Sequence, residues 1–285
     1  LVELETDKVN VEVPSPSNGV LESISAKEGD SRVAIELIAK FGLKIISKFN
    51  GMFAIVIYDR KKNKIYLIRD RLGTKPLYYS KKQNSIYFAS EIKALPVKKN
   101  IDSDIVSDYL DYGKYPKIKS FFKKIYNVPP SSIIEISKNK FNIKKYFDIK
   151  KEVLQKSKTK FDEGKFNELL KNAILIRQRS DKKINFHLSS GIDSTSLLIF
   201  TKDNWSSKYK INSSSFSYYG YKDDEYKFIK NISKKLRIKN NKVTLYPNEV
   251  PQLAEKLQYF QDEPYGGLAS IAEFKLNLEE KKNGE

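Results

Sequence analysis

The sequence predicts an α+β unit followed by an α/β unit, on three observations. Residues 51–145 hold short apolar runs joined by short polar turns, the pattern of antiparallel hairpins. Residues 161–285 alternate short apolar runs with longer amphipathic stretches, the pattern of a doubly wound parallel sheet. Between them, residues 151–160 are polar and Lys-rich and read as a linker.

Residues 1–32 open with alternating apolar positions, Val2 and Leu4, then Val9, Val11 and Val13, around a turn at Thr6-Asp7-Lys8. Residues 20–26 read as a further strand, ended by Glu28-Gly29-Asp30. Apolar residues from 33 to 49 recur at helical spacing and predict one helix. Residues 51–59 and 65–70 read as a hairpin turned at Lys61-Lys62-Asn63-Lys64. Tyr78-Tyr79 and residues 85–89 read as strands, with a short helix from Ser90. Residues 101–150 read as alternating strands, with a turn at Pro129-Pro130 and a hairpin around Lys138-Asn139-Lys140. In the second unit, residues 161–179 form an amphipathic helix, with Phe166, Leu169, Leu170, Ala173 and Ile174 on one face. Strands at 184–188, 211–217 and 242–245 then alternate with helices ending near Phe200, Leu236, Phe260 and Glu280.

Composition removes several classes of function. The 285 residues are 40% hydrophobic, enough for one or two cores. No apolar run reaches the ~18 residues of a membrane helix, and no secretory signal is visible, so a cytoplasmic setting without a membrane partner is expected. The absence of cysteine excludes disulfides, thiolate zinc sites and a thiol nucleophile from these residues. The net charge is +18, but it comes from 46 lysines and 7 arginines spread along the chain. Base recognition favours the forked guanidinium, so no nucleic-acid partner is expected. The chain opens on Leu1 and its one Met is Met52, so its start is expected to be missing or processed away.

The stretch richest in chemistry is Leu188-Ser189-Ser190-Gly191-Ile192-Asp193-Ser194-Thr195, between an apolar strand and an apolar helix. A strand turning sharply into a helix leaves free N–H groups and a positive dipole end, which suit an anion. Gly191 has no Cβ to hold a phosphate off, and Ser189, Ser194 and Thr195 add hydroxyls. Asp193 would repel phosphate unless Mg²⁺ bridges the two. The plainer reading is that Asp193 or Ser194 caps a helix after a tight turn. His187, the one histidine, reads as a satisfied structural residue. Asp224 and Glu225 suit a helix N-terminus without further function.

Residues 188–194 resemble the pyrophosphate-binding loop, Ser-Gly-Gly-x-Asp-Ser, of ATP pyrophosphatases, with Ser190 in place of the first Gly. Asn50-Gly51-Met52-Phe53-Ala54, residues 69–79 and Phe88-Ala89-Ser90-Glu91-Ile92-Lys93-Ala94-Leu95 resemble the later part of the glutaminase domain of glutamine-hydrolysing asparagine synthetases. The phosphate loop, the Asp223-Asp224-Glu225 helix start and Asp262-Glu263-Pro264-Tyr265 resemble that family's synthetase domain.

The resemblance implies an incomplete N-terminal-nucleophile sandwich over 33–150 and an incomplete parallel sheet of the pyrophosphatase type over 161–285. It implies ATP and Mg²⁺ as cofactors, with Leu188, Ser189, Ser190, Gly191, Asp193, Ser194 and Tyr218 binding ATP. Asp193 would meet the metal, Leu188 and Tyr218 the adenine, and Asp30 the α-amine of glutamine. The implied reaction moves the amide nitrogen of glutamine to aspartate through a β-aspartyl adenylate; related members act on sugar, peptide or antibiotic-precursor carboxylates. A homodimer is compatible with the resemblance. The family's nucleophile is a Cys, so no glutaminase activity is expected of these residues alone. Arg69, Asp70 and Arg71 are expected to form a structural charge cluster.

Glu5-Thr6-Asp7-Lys8-Val9, with Pro16-Ser17-Asn18-Gly19 and Lys27-Glu28-Gly29-Asp30, resembles the second half of a lipoyl domain. That implies lipoylation at Lys8, and a lipoyl carrier as a rival function. Half of such a barrel has open edges and no core, so residues 1–32 read as a remnant and Lys8 as an unmodified turn lysine.

Overall fold

The computed structural model describes residues 9–10, 31–82, 85–116, 118–138, 140–157, 159–178, 183–205, 210–222 and 224–282. Lys8 and Asp30 lie outside these residues. The chain divides into two compact units, Leu1–Lys160 and Phe161–Glu285.

In the first unit, β1 (Val9–Asn10) pairs antiparallel with β2 (Asn50–Gly51). Helix α1 (Ser31–Phe41) stops at Gly42, whose φ of 70° is left-handed and whose N–H closes on the Ile38 carbonyl. A 3₁₀ turn, Leu43–Lys48, follows, so the single helix expected over 33–49 is broken in two. Its apolar face is nonetheless continuous: Ala34 and Leu37 from α1 join Ile45, Ile46 and Phe49 in one core.

Strands β3 (Ala54–Asp59), β4 (Lys64–Arg69), β8 (Ser132–Ser137) and β9 (Lys140–Lys145) form an antiparallel sheet in the order β3-β4-β8-β9. Strand alternation gives this sheet two apolar faces. Ile55, Tyr66, Ile68 and Ile133 pack on the α1 side. Ala54, Leu67, Ile134 and Ile136 pack against Leu77, Tyr79 and Val128. The latter core joins it to a second sheet, β6-β5-β7, made of β5 (Tyr78–Lys82), β6 (Ser85–Ala89) and β7 (Ile125–Asn127). On the far side of that sheet Tyr78 and Tyr87 pack with Ile92, Leu95 and Ile125.

Two helices replace expected irregular or extended structure. Residues Ser103–Tyr112 form α2, within a stretch expected to be strands. Its N-cap Asp102 accepts from Asp104 N–H, and Gly113 at φ 65° ends it. Residues Ile149–Lys156 form α3, which takes up the first part of the expected linker 151–160; Asp148 caps it by accepting from the Lys150 and Lys151 amides. Composition signalled solvent there, and solvent is where α3 lies: none of its residues is buried.

The Arg69-Asp70-Arg71 run is bonded mainly to backbone. The Arg69 guanidinium donates to the carbonyls of Lys75, Val128 and Gly73, each at 2.8 Å. Asp70, fully buried, accepts from the amides of Leu72, Thr74, Lys75 and Phe53. Arg71 donates to the Ser47 carbonyl and lies over the Phe147 ring.

In the second unit, α4 (Glu163–Arg177) precedes β10 (Asn185–His187), α5 (Ile192–Asp203), β11 (Asn212–Tyr218), α6 (Tyr226–Leu236), β12 (Lys239–Leu245), α7 (Val250–Gln261) and α8 (Leu268–Lys282). The described strands form one parallel sheet, β10-β11-β12. Leu188, Leu198 and Ile229 build a core with Phe186 and Tyr226; Leu245, Leu253, Leu257 and Ile271 build another with Phe216 and Tyr218. Phe186 pairs with Ser213, whose side chain opposes that of Phe216 on the pleat, so the two cores lie on opposite faces of the sheet.

The middle strand β11 is unusual in its content: Ser213, Ser214, Ser215 and Ser217 are all buried. Their hydroxyls are satisfied locally. Ser213 donates to the Lys239 carbonyl and Ser215 to the Leu188 carbonyl, Asn185 donates to Ser214, Asn240 donates to Ser213 and Ser215, and Ser217 pairs with Thr244. Among the described residues no helix is long and apolar enough to cross a membrane.

Candidate functional site

The site candidates of the second unit gather where β10 runs into α5. The strand is held by its parallel register, Phe186 opposite Ser213 and His187 opposite Ser214. Leu188 extends the pairing: its amide donates to the Ser214 carbonyl at 2.9 Å. Its side chain is buried with Leu198 and Ile229, so it anchors the start of the loop in the core.

The loop then turns on its own hydroxyls. Ser189 N–H donates to Ser194 Oγ at 3.1 Å, and the two hydroxyls lie 2.8 Å apart. Gly191 N–H donates to Ser189 Oγ at 3.2 Å. Gly191 is the N-cap of α5, in extended conformation and with no side-chain cap bond. Its φ of −69° is open to any residue, so glycine is not needed for conformation here. What it saves is space: a Cβ would lie 3.2 Å from Ser189 Oγ, a contact tight enough that the hydroxyl would have to shift by a few tenths of an ångström. With no side chain capping it, the first turn of α5 presents amides that have no helical carbonyl to serve.

Asp193 sits in that first turn, and its carboxylate has no partner among the described residues. Thr195 Oγ1 is buried and also lacks a partner among them. The donor set fits a nucleotide's phosphates together with a hard cation: the amides of the helix start and the loop's hydroxyls for the anion, an unpartnered carboxylate for the metal. Among the described residues no group of three His, Asp or Glu is arranged to hold a metal by itself. Asp193 is the carboxylate of this loop that would hold such a cation.

Tyr218 closes β11, half-buried, with its ring edge-on to Phe216 and Tyr221. Burial, and then the charge of Glu225, pushes its phenol up from the ordinary value.

His187 is exposed rather than packed inside. Its Nε2 lies 3.1 Å from Glu280 Oε2 and its Nδ1 3.9 Å from Glu273. The ring is satisfied by α8, which also receives a bond from Asn185 to Glu280.

Glu225 is the residue that sequence reasoning passed over. Both acids stand at the start of α6, as expected; Asp224 accepts from Tyr226 N–H and pairs with Lys242 at 3.5 Å. Glu225 makes no cap bond and instead reaches Ser190, at 2.7 Å from its hydroxyl and 3.3 Å from its amide. The available signal was two adjacent acids where one cap suffices.

Comparison with known proteins shows what the chain is similar to. Residues 22–147 match the glutamine amidotransferase domain, residues 165–284 match asparagine synthase, and residues 1–41 match a model described as biotin-requiring enzyme. A putative glutamine-hydrolysing asparagine synthetase 2 of Methanocaldococcus jannaschii is 30% identical over 258 residues, which is 87% of this chain and 49% of that protein. Glutamine-hydrolysing asparagine synthetase 1 of Bacillus subtilis is 26% identical, over 90% of this chain and 40% of its own length. Asparagine synthetase 2 of the same organism is 27% identical, over 87% and 36%. The chain thus spans about half, or less, of the length of these relatives. Its two halves match, in succession, a glutamine amidotransferase domain and asparagine synthase, and over most of its length the chain is similar to glutamine-hydrolysing asparagine synthetases.

Proposed function

We propose that this chain takes part in ATP-dependent transfer of the amide nitrogen of glutamine to aspartate, and that residues 188–194 bind the pyrophosphate end of ATP. The single observation that carries the reading is the uncapped start of α5, with the Asp193 carboxylate unpartnered beside a loop shaped by Ser189 and Ser194. In this reading the first unit is part of an N-terminal-nucleophile sandwich and the second part of a pyrophosphatase-type sheet.

The chemistry needs such a loop because a carboxylate does not react with ammonia. Its leaving group is poor and its charge repels nucleophiles. Adenylation of the aspartate β-carboxylate solves both problems and expels pyrophosphate. The amides and hydroxyls of Ser189, Gly191 and the α5 start hold the departing phosphates as charge builds on them. Asp193 would hold Mg²⁺, and the cation would supply neutralising charge for the leaving group. Leu188 fixes the loop's origin and Tyr218 offers a ring for adenine. Asp30 is proposed to hold the α-amine of glutamine.

The test is a titration of the 285-residue chain with ATP, with and without Mg²⁺. Binding is expected with Mg²⁺ and weakened at least about tenfold without it. Asp193→Ala should erase that difference, and Gly191→Val should abolish binding by driving a branched side chain into Ser189. ATP affinity and Mg²⁺ dependence untouched in both variants would sink the reading.

A further inference from the structure

Glu225 already serves, as an anion, two donors of the loop proposed to bind one. Its Oε2 accepts from Ser190 Oγ–H at 2.7 Å and from Ser190 N–H at 3.3 Å. Helix capping does not account for this, since Asp224 supplies the bond to Tyr226 N–H and Glu225 gives its own helix none. The shorter of the two contacts depends on the hydroxyl at position 190. Asp193 brings a second carboxylate, in the first turn of the helix that follows.

A free polyphosphate approaching this loop must displace Glu225 from Ser190 and then remain near two unneutralised carboxylates. Like charges a few ångströms apart oppose each other by about 1 kcal/mol or more, even in water. A polyphosphate that carries a divalent cation brings its own counter-charge. The displaced carboxylate then has a hard, oxygen-seeking partner.

We infer that Glu225 makes this loop selective for metal-complexed polyphosphate over the free anion, by holding the Ser190 donors until a cation-bearing ligand replaces it. The inference rests on the reading of residues 188–194 as a phosphate loop. It goes further by assigning the discrimination to a residue of another helix.

Calorimetric titration of the 285-residue chain with inorganic pyrophosphate, in Mg²⁺ and in EDTA, separates the two claims. Glu225→Gln keeps the size of the side chain and removes its charge. It should raise affinity for metal-free pyrophosphate about tenfold and shrink the ratio of Mg²⁺-bound to metal-free affinity accordingly. Ser190→Ala leaves the charge and removes the shorter bond, and should move the ratio in the same direction by less. If wild-type protein binds Mg²⁺-pyrophosphate and Glu225→Gln leaves the ratio unchanged, the inference falls while the loop reading stands. A loss of Mg²⁺-pyrophosphate binding in Glu225→Gln, with no gain for the free anion, means that Glu225 does not hold the free anion off the Ser190 donors, and also overturns it. If the wild-type chain binds pyrophosphate in neither condition, the loop reading falls and takes the inference with it.

Discussion

At the scale of single residues, the strongest constraint lies at Gly73. Its φ of +67° is left-handed, and a Cβ there would lie 2.8 Å from Pro130 Cγ and 3.2 Å from Arg69 Nε. Any side chain would strain the turn and press on the guanidinium that ties three carbonyls together. Gly73→Ala is therefore expected to cost about 2–3 kcal/mol in urea denaturation; a loss under about 0.5 kcal/mol would show that the turn relaxes freely. The Arg-Asp-Arg run was readable as structural, but its bonding was not. Most of its partners are backbone amides and carbonyls, which carry no residue identity. Glu225 was hidden differently: its partner lies 35 positions away, beyond the reach of any local pattern.

At the scale of elements, period and cap can disagree. Residues 103–112 mix Ile, Val and Tyr with Ser and Asp, and their side chains favour a strand as much as a helix. The ends decide: Asp102 offers a carboxylate to the second helical amide, and Gly113 releases the chain. Asp148 does the same for α3 in a stretch whose composition speaks only of solvent. Asp102→Ala should then lower stability by about 1 kcal/mol, measured by chemical denaturation, whereas a change indistinguishable from zero would mean that packing around Ile105 holds α2 alone. The strand–loop–helix around residues 185–203 was readable because three signals agree there: an apolar run, a Gly/Ser break and a second apolar run.

At the scale of the whole molecule, alternation of strand and helix revealed the parallel sheet, since consecutive elements of such a sheet pack near one another. The stacking of two antiparallel sheets in the first unit was less accessible. β4 pairs with β8, whose register places Ile68 opposite Ile133, and nothing local in either strand names the other. Lysine content alone mimicked a polyanion binder; its even spread along the chain argued otherwise.

The serines of β11 bear on how this protein responds to temperature. A central strand filled with hydroxyls withdraws little hydrocarbon from water, and melting it returns little. Polar surface exposed on unfolding lowers the heat capacity, where apolar surface raises it. Scanning calorimetry should therefore find a heat-capacity increment below the usual ~12–15 cal/mol/K per residue, and a stability curve flatter than that of an aliphatic sheet of the same size. An increment at or above that range would mean that Leu253, Leu257, Ile271 and the flanking helices dominate the thermal response despite the hydroxyls at the centre.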